Sequence, residues 1–290
     1  AIFPMTHGIS MYTREIQRMY GRDKSRRIGS AIPFSIDSSF MSQLRFYYRL
    51  EESYEDIIMI KDRGDVDMVF KNNRIGLLIG LEGSEALSDP GDVSFMYRLG
   101  VRLIGLTWNY DTRYAASCMS SKDYGLTGSG EKLVEYMNEY GVIIDLAHSS
   151  YNTMSEVLSM SRLPVVDSHT NYNGVWRHKR NIGDDIIEML VRNRGVMGFT
   201  LIKSTISDGD YLDNLAKHIY SVYSRFGPEV LAIGTDFFGT EPPYPLTRID
   251  TLTKLYEKLL DMGMRETDIE RLSWKNAYRV IIENSKKWRY

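Results

Sequence analysis

Residues 131–148 read EKLVEYMNEYGVIIDLAH. Glu131 to Tyr140 carries the spacing of an amphipathic helix, Gly141 supplies a left-handed stop, and Val142 to Leu146 is a short apolar run of strand character with His148 just beyond it. Helix, glycine, strand and polar end make one unit, and the unit recurs along the chain. Further strand-like runs are Ala1 to Met5, Ile28 to Phe34, Ile75 to Leu81, Val101 to Leu106, Pro164 to Val166, Val196 to Thr200 and Val230 to Ile233. Between them lie helical segments at Phe40 to Asn72, Val93 to Leu99, Asn152 to Met160, Asp184 to Asn193 and Tyr211 to Arg225, and two more, Thr251 to Asp261 and Thr267 to Glu283, close the chain. Gly100, Gly195 and Gly227 stand, like Gly141, between a helix and a strand, where a left-handed cap is expected. No Gly-x-Gly-x-x-Gly turn follows the first strand, so the expectation is an α/β fold of the (β/α)8 TIM-barrel type rather than an open doubly wound sheet. Residues 1–290 are read as a single domain, with the loop from Asp111 to Gly130 as the main insertion near the mouth.

The composition is that of a globular chain: 290 residues, 43% hydrophobic and 26% charged, with ample apolar material for a large core. A formal charge of −2 provides no general attraction to nucleic acid or an anionic membrane. The single cysteine, Cys118, excludes an internal disulfide framework and a cysteine-built zinc site. The first ten residues lack the pattern of a signal peptide, and no run has the length of a membrane span, so a cytoplasmic location is expected. The partners expected are a small molecule or dipeptide and, as the candidate assembly, a homodimer.

In a barrel of this kind, chemistry collects where strands end. The residues following the runs here are His7, Glu82, Trp108 with Asn109, His148, His169 and Asp236. Three of only five histidines stand in such positions; His178, in a basic stretch, and His218, on a helical face, are expected at the surface. Two imidazoles and a carboxylate are ordinary ligands for zinc in a hydrolase, and one cation would account for His148, His169 and Glu82 together. Asp236 is open to two readings, a catalytic group or a helix N-cap.

Five segments together resemble the membrane dipeptidases of the renal type, zinc peptidases of the amidohydrolase barrels. They are Ile79-Gly80-Leu81-Glu82-Gly83, Ile144-Asp145-Leu146-Ala147-His148-Ser149-Ser150, Val165-Val166-Asp167-Ser168-His169, Arg180-Asn181-Ile182 with Asp184-Asp185, and Ile233-Gly234-Thr235-Asp236-Phe237. The similarity runs from about Leu77 to the end and includes Asn276 to Val280 in the closing helix. The resemblance implies that Glu82 bridges two zinc ions, that His148 and His169 bind the second of them, and that Asp236 is the general acid and base. It also implies that Arg180 clamps the substrate's terminal carboxylate. Two departures stand out. The family's first strand ends in His-x-Asp, whereas here it reads His7-Gly8-Ile9, and its fourth strand ends in a substrate-contacting His, whereas here Trp108 stands. Phe238 also replaces an Asp.

His7 is therefore left with Glu82 alone at the first site, so one firm zinc site is expected and a second weak or empty one. Asp37 is read as a turn or helix-cap residue. Trp108 and Asn109 become substrate-facing residues, with Asn109 offering a hydrogen bond. The leading function is metal-dependent dipeptide hydrolysis. The alternatives are a catalytically impaired barrel that binds or assembles, motivated by Ile9 and Trp108, and a related amidohydrolase acting on a lactone or cyclic amide.

Overall fold

The computed structural model describes the backbone of Ile2–Phe3 and residues 36–288, with side chains from Phe40 onward. In chain order the elements are β1 (Ile2–Phe3), α1 (Ile36–Ser53), β2 (Ile57–Met59), α2 (Arg63–Lys71), β3 (Ile75–Leu81), α3 (Val93–Arg98), β4 (Val101–Gly105), α4 (Gly128–Tyr140), β5 (Ile143–Asp145), α5 (Tyr151–Met160) and β6 (Val166–Thr170). They continue with α6 (Asp184–Asn193), β7 (Val196–Phe199), α7 (Lys203–Ile206), α8 (Tyr211–Phe226), β8 (Leu231–Ile233), α9 (Thr253–Asp261), α10 (Glu266–Glu270) and α11 (Asn276–Ser285). The strands pair in parallel in the order β1-β3-β4-β5-β6-β7-β8, and β2 also pairs with β3. On β3, residues 75–77 face β2 and Leu78 and Ile79 face β1. This is the α/β architecture of a (β/α)8 barrel, a parallel sheet with helices as crossovers. Among the described residues no pairing joins β8 to β1.

The helices form and stop for local reasons. Thr127 accepts the Gly130 N–H at 3.1 Å to start α4, and Gly141 ends it at φ 68°. Ser150 accepts the Thr153 N–H to start α5. Leu133, Val134 and Met137 on α4, and Leu215, Ile219 and Val222 on α8, recur at i, i+3 and i+4 spacing and are buried in the core beside the strands. The longest described helix, α1, and every other described helix are too short or too polar to cross a membrane.

Four expectations change. Phe40 to Asn72 is not one helix but α1, β2 and α2, the last opened by a capping box between Asp62 and Asp65. Gly195 is not a left-handed cap; Arg194 takes that conformation at φ 63°, and Gly195 is bare because a Cβ there would meet the Val165 carbonyl oxygen at 2.7 Å. His218 is fully buried rather than on the surface. Its Nδ1 accepts the Tyr172 N–H at 3.1 Å and its Nε2 donates to the Ile206 carbonyl at 2.9 Å, so the apolar face of α8 carries a satisfied polar group. His178 is half-buried and accepts the Arg180 N–H. The segment Ile28 to Phe34 and the residues His7 and Ile9 lie outside the described residues.

The loop from Asp111 to Gly130 is fastened at several points. Asp111 accepts from Ser117 and Ser120, Asp123 from Ser150 and Asn152, and Glu156 from the Leu126 N–H. Bridges join Ala115 to Leu126 and Ser117 to Ser149. The Cys118 N–H donates to the His148 carbonyl at 2.7 Å, so the loop braces a site residue directly.

Candidate metal centre

Parallel strands deliver their C-terminal ends to one side of the sheet, so the residues after them meet there. Glu82 follows β3 at once, His169 sits within β6 near its end, and His148 and Asp236 come three residues after β5 and β8. The sequence reading ended the sixth strand at Val166; it runs on to Thr170, so His169 is held by a strand rather than a loop. His148 and Asp236 both have left-handed backbones, φ 67° and 56°. Non-glycine residues pay about 1–3 kcal/mol for such conformations, and they gather where a side chain must be aimed. No helix begins after Asp236 until Ile249, which removes the N-cap reading.

Glu82 Oε1, His148 Nε2 and His169 Nε2 form a closed triangle with edges of 2.9, 3.0 and 3.2 Å. Ligand bonds of 2.0–2.1 Å in tetrahedral array put neighbouring ligand atoms about 3.3 Å apart, so the triangle is close to, and slightly tighter than, the spacing a zinc-like cation sets. Two nitrogens and one carboxylate oxygen, all largely buried, leave further coordination positions for water or substrate. The donor set fits the cation. Burial, followed by the charge of Arg180, pushes His148 down to about 3 against the pull of Glu82, so the ring stays neutral, as a ligand must be. For His169, burial and Arg180 act downward, but the hydrogen bond and charge of Glu82 with the charge of Asp236 prevail and raise it.

Of the other residues singled out from the sequence, Arg180 and Asn109 both reach His148. Arg180 is buried; its Nε lies 3.2 Å from His148 Nδ1 and its Nη2 donates to the His169 carbonyl, while Nη1 has no hydrogen-bond partner among the described residues. Asn109 Oδ1 lies 2.8 Å from the same Nδ1. The Trp108 ring lies 6.0 Å from that of His148, with Tyr110 edge-on to it at 5.5 Å. Asp37 falls in the first turn of α1.

Sequence reasoning passed over three groups. Ser168 Oγ is 2.8 Å from His169 Nδ1. Asp145 accepts the N–H groups of Ala147 and Ser168, tying β5 to β6. Asp167 is fully buried with neither oxygen hydrogen-bonded among the described residues, and burial, reinforced by Asp145, pushes it up to about 7 against Arg180 and His169. Asp167 stands two residues before His169, a spacing that a regular strand puts on one face, but the register of β6 shifts between Asp167 and Thr170.

Residues 34–288 match the model of the membrane dipeptidases, peptidase family M19. The chain belongs to this family. The match begins after His7, so the first-strand position lies before it. This M19 chain is 35% identical over 249 residues to the dipeptidase verJ of Clonostachys rogersoniana, covering 83% of this chain and 64% of that protein; it thus spans under two thirds of the relative's length. An amidohydrolase from Pseudomonas aeruginosa superposes with a TM-score of 0.76 at 25% identity, covering 86% of this chain and 85% of that one. A metallopeptidase from Rhodobacter sphaeroides, solved with a phosphinate mimic of the dipeptide L-Ala-D-Ala, superposes with a TM-score of 0.78 at 20% identity, covering 86% and 74%; at that identity it speaks for the fold.

Proposed function

We propose that this chain hydrolyses dipeptides with one firmly held divalent cation, zinc, bound by Glu82, His148 and His169. The closed triangle of three ligand atoms carries the reading. Membership of the M19 family and likeness to a protein named as a dipeptidase support it. When bound, the cation would act as a Lewis acid on the scissile carbonyl. The remaining work falls to the chain's own side chains. Asp236, whose charge reaches His169, is the general base and acid that moves a proton to the leaving amine. Arg180 presents Nη1, which has no hydrogen-bond partner among the described residues, to the substrate's terminal carboxylate, a buried cation holding an anion of fixed geometry. Trp108 and Tyr110 form an aromatic wall for a substrate side chain. A single cysteine fits a cytoplasmic setting.

The test is metal content per chain after dialysis, followed by hydrolysis of a panel of L,L and L,D dipeptides with added zinc and with chelator. One zinc per chain and chelator-sensitive turnover are expected. Asp236→Asn should keep its zinc and lose roughly 10²–10⁴ in kcat. Protein that takes up no zinc and leaves every dipeptide intact would end the proposal, and turnover of a lactone in place of dipeptides would move it to another amidohydrolase reaction.

A further inference from the structure

We infer that Asn109 is a positioning residue of the metal centre: its side-chain oxygen selects the tautomer of His148 that can bind a cation. The inference rests on the reading of the trio as a metal site, and it gives Asn109 a role other than contact with substrate.

His148 has two ring nitrogens and, when neutral, one proton. Nε2 points at Glu82 Oε1 (2.9 Å) and His169 Nε2 (3.0 Å), and a cation held there requires Nε2 to be bare, with the proton on Nδ1. Two groups compete for Nδ1. Arg180 Nε, at 3.2 Å, is an obligate donor and favours a bare Nδ1, which would leave the proton on Nε2, inside the triangle. Asn109 Oδ1, at 2.8 Å, is an acceptor and favours Nδ1–H. The acceptor is the nearer of the two and gains a full hydrogen bond from the ligating tautomer. Without it, the guanidinium alone would decide, and it would decide against the metal. Among the described residues His169 has no such selector, because Ser168 Oγ beside its Nδ1 can donate or accept. The position of Asn109, four residues beyond β4, makes it the side chain through which a neighbouring strand orients a ligand from β5.

The experiment compares the wild type with Asn109→Leu, similar in shape but without an acceptor, and Asn109→Asp, which keeps an oxygen. Zinc affinity is measured by competition with a chromophoric chelator, and histidine 15N shifts of the zinc-loaded protein report which nitrogen holds the proton. Asn109→Leu should bind zinc about 10–100-fold more weakly. Asn109→Asp should bind at least as tightly as the wild type and keep its Nδ1–H signal. Equal affinity in Asn109→Leu and the wild type would overturn the inference while leaving the metal centre standing. A loss in Asn109→Asp as large as in Asn109→Leu would overturn it too, since bulk rather than the acceptor would then matter. A wild type that binds no zinc would remove the metal reading itself, and the inference with it.

Discussion

His218 illustrates what a buried polar residue costs and contributes. With Nδ1 accepting from Tyr172 and Nε2 donating to Ile206, the ring is complete only when neutral, and burial lowers its affinity for a proton. In the unfolded chain it titrates near 6.5. Its folded pKa is the lower one, so its contribution is present above pH 6.5 and is lost as the pH falls below that value. Urea midpoints of the wild type should therefore drop between pH 7 and pH 5 more steeply than those of His218→Gln. The variant should also be less stable by about 1–3 kcal/mol at pH 8, where one backbone partner goes unsatisfied. Parallel midpoints across that range would refute this. The same residue marks a limit of the sequence. Glu82, His148 and His169 were legible because a parallel barrel fixes where strand-end residues gather, whereas His218 lies on a helix whose face could not be settled from charge alone. Arg180 and Asn109 were expected near the trio but not as neighbours of one nitrogen, because two loops from different strands meet there.

At the scale of elements, the closeness of β6, β7 and β8 depends on two missing side chains. A Cβ on Gly198 would lie 2.1 Å from the Ser168 carbonyl oxygen, and one on Gly234 1.8 Å from the same atom. Neither glycine is needed for its backbone conformation; each is needed for space. Gly198→Ala should thus displace the strand that carries His169, costing about 1–3 kcal/mol in denaturant unfolding and weakening the zinc binding proposed for the trio at the same time. Gly128→Ala is the control: among the described residues nothing lies within 4 Å of that Cβ, at the first residue of α4, and the change should be neutral or slightly stabilising. Equal effects from the two substitutions would contradict the steric account. Elements of clear period were readable, and those of mixed signal were not. Ile57 to Ile60 is a short apolar run that suits a buried helix turn as well as a strand, and no glycine or proline separates it from α1, so β2 was hidden within a long helix.

Over the whole molecule, the two ends of the sheet divide their duties. The C-terminal ends hold the trio, while the last helix fastens the N-terminal ends. Asn276 donates to the Leu231 carbonyl at the start of β8, Asn284 to Pro164 just before β6, and Trp288 Nε1 to Gly141 just before β5. Buried Arg102 on β4 completes the clasp, its guanidinium 3.8 Å from the Tyr97 ring and 5.5 Å from that of Trp288. The closing helix was legible through Asn276 to Val280, but the clasp was not, because its partners lie up to 147 positions away along the chain. Trp288→Ala removes a buried ring, a hydrogen bond and one face of the cation–π stack. It should cost about 3–5 kcal/mol, read as a lower denaturant midpoint. Because the change falls at the end of the barrel opposite the trio, the zinc affinity proposed for the wild type should be unchanged in folded Trp288→Ala protein. Zinc affinity that falls with stability, measured well below the unfolding transition, would mean that the clasp also tensions the strands beneath the ligands, and the separation of the two ends would fail.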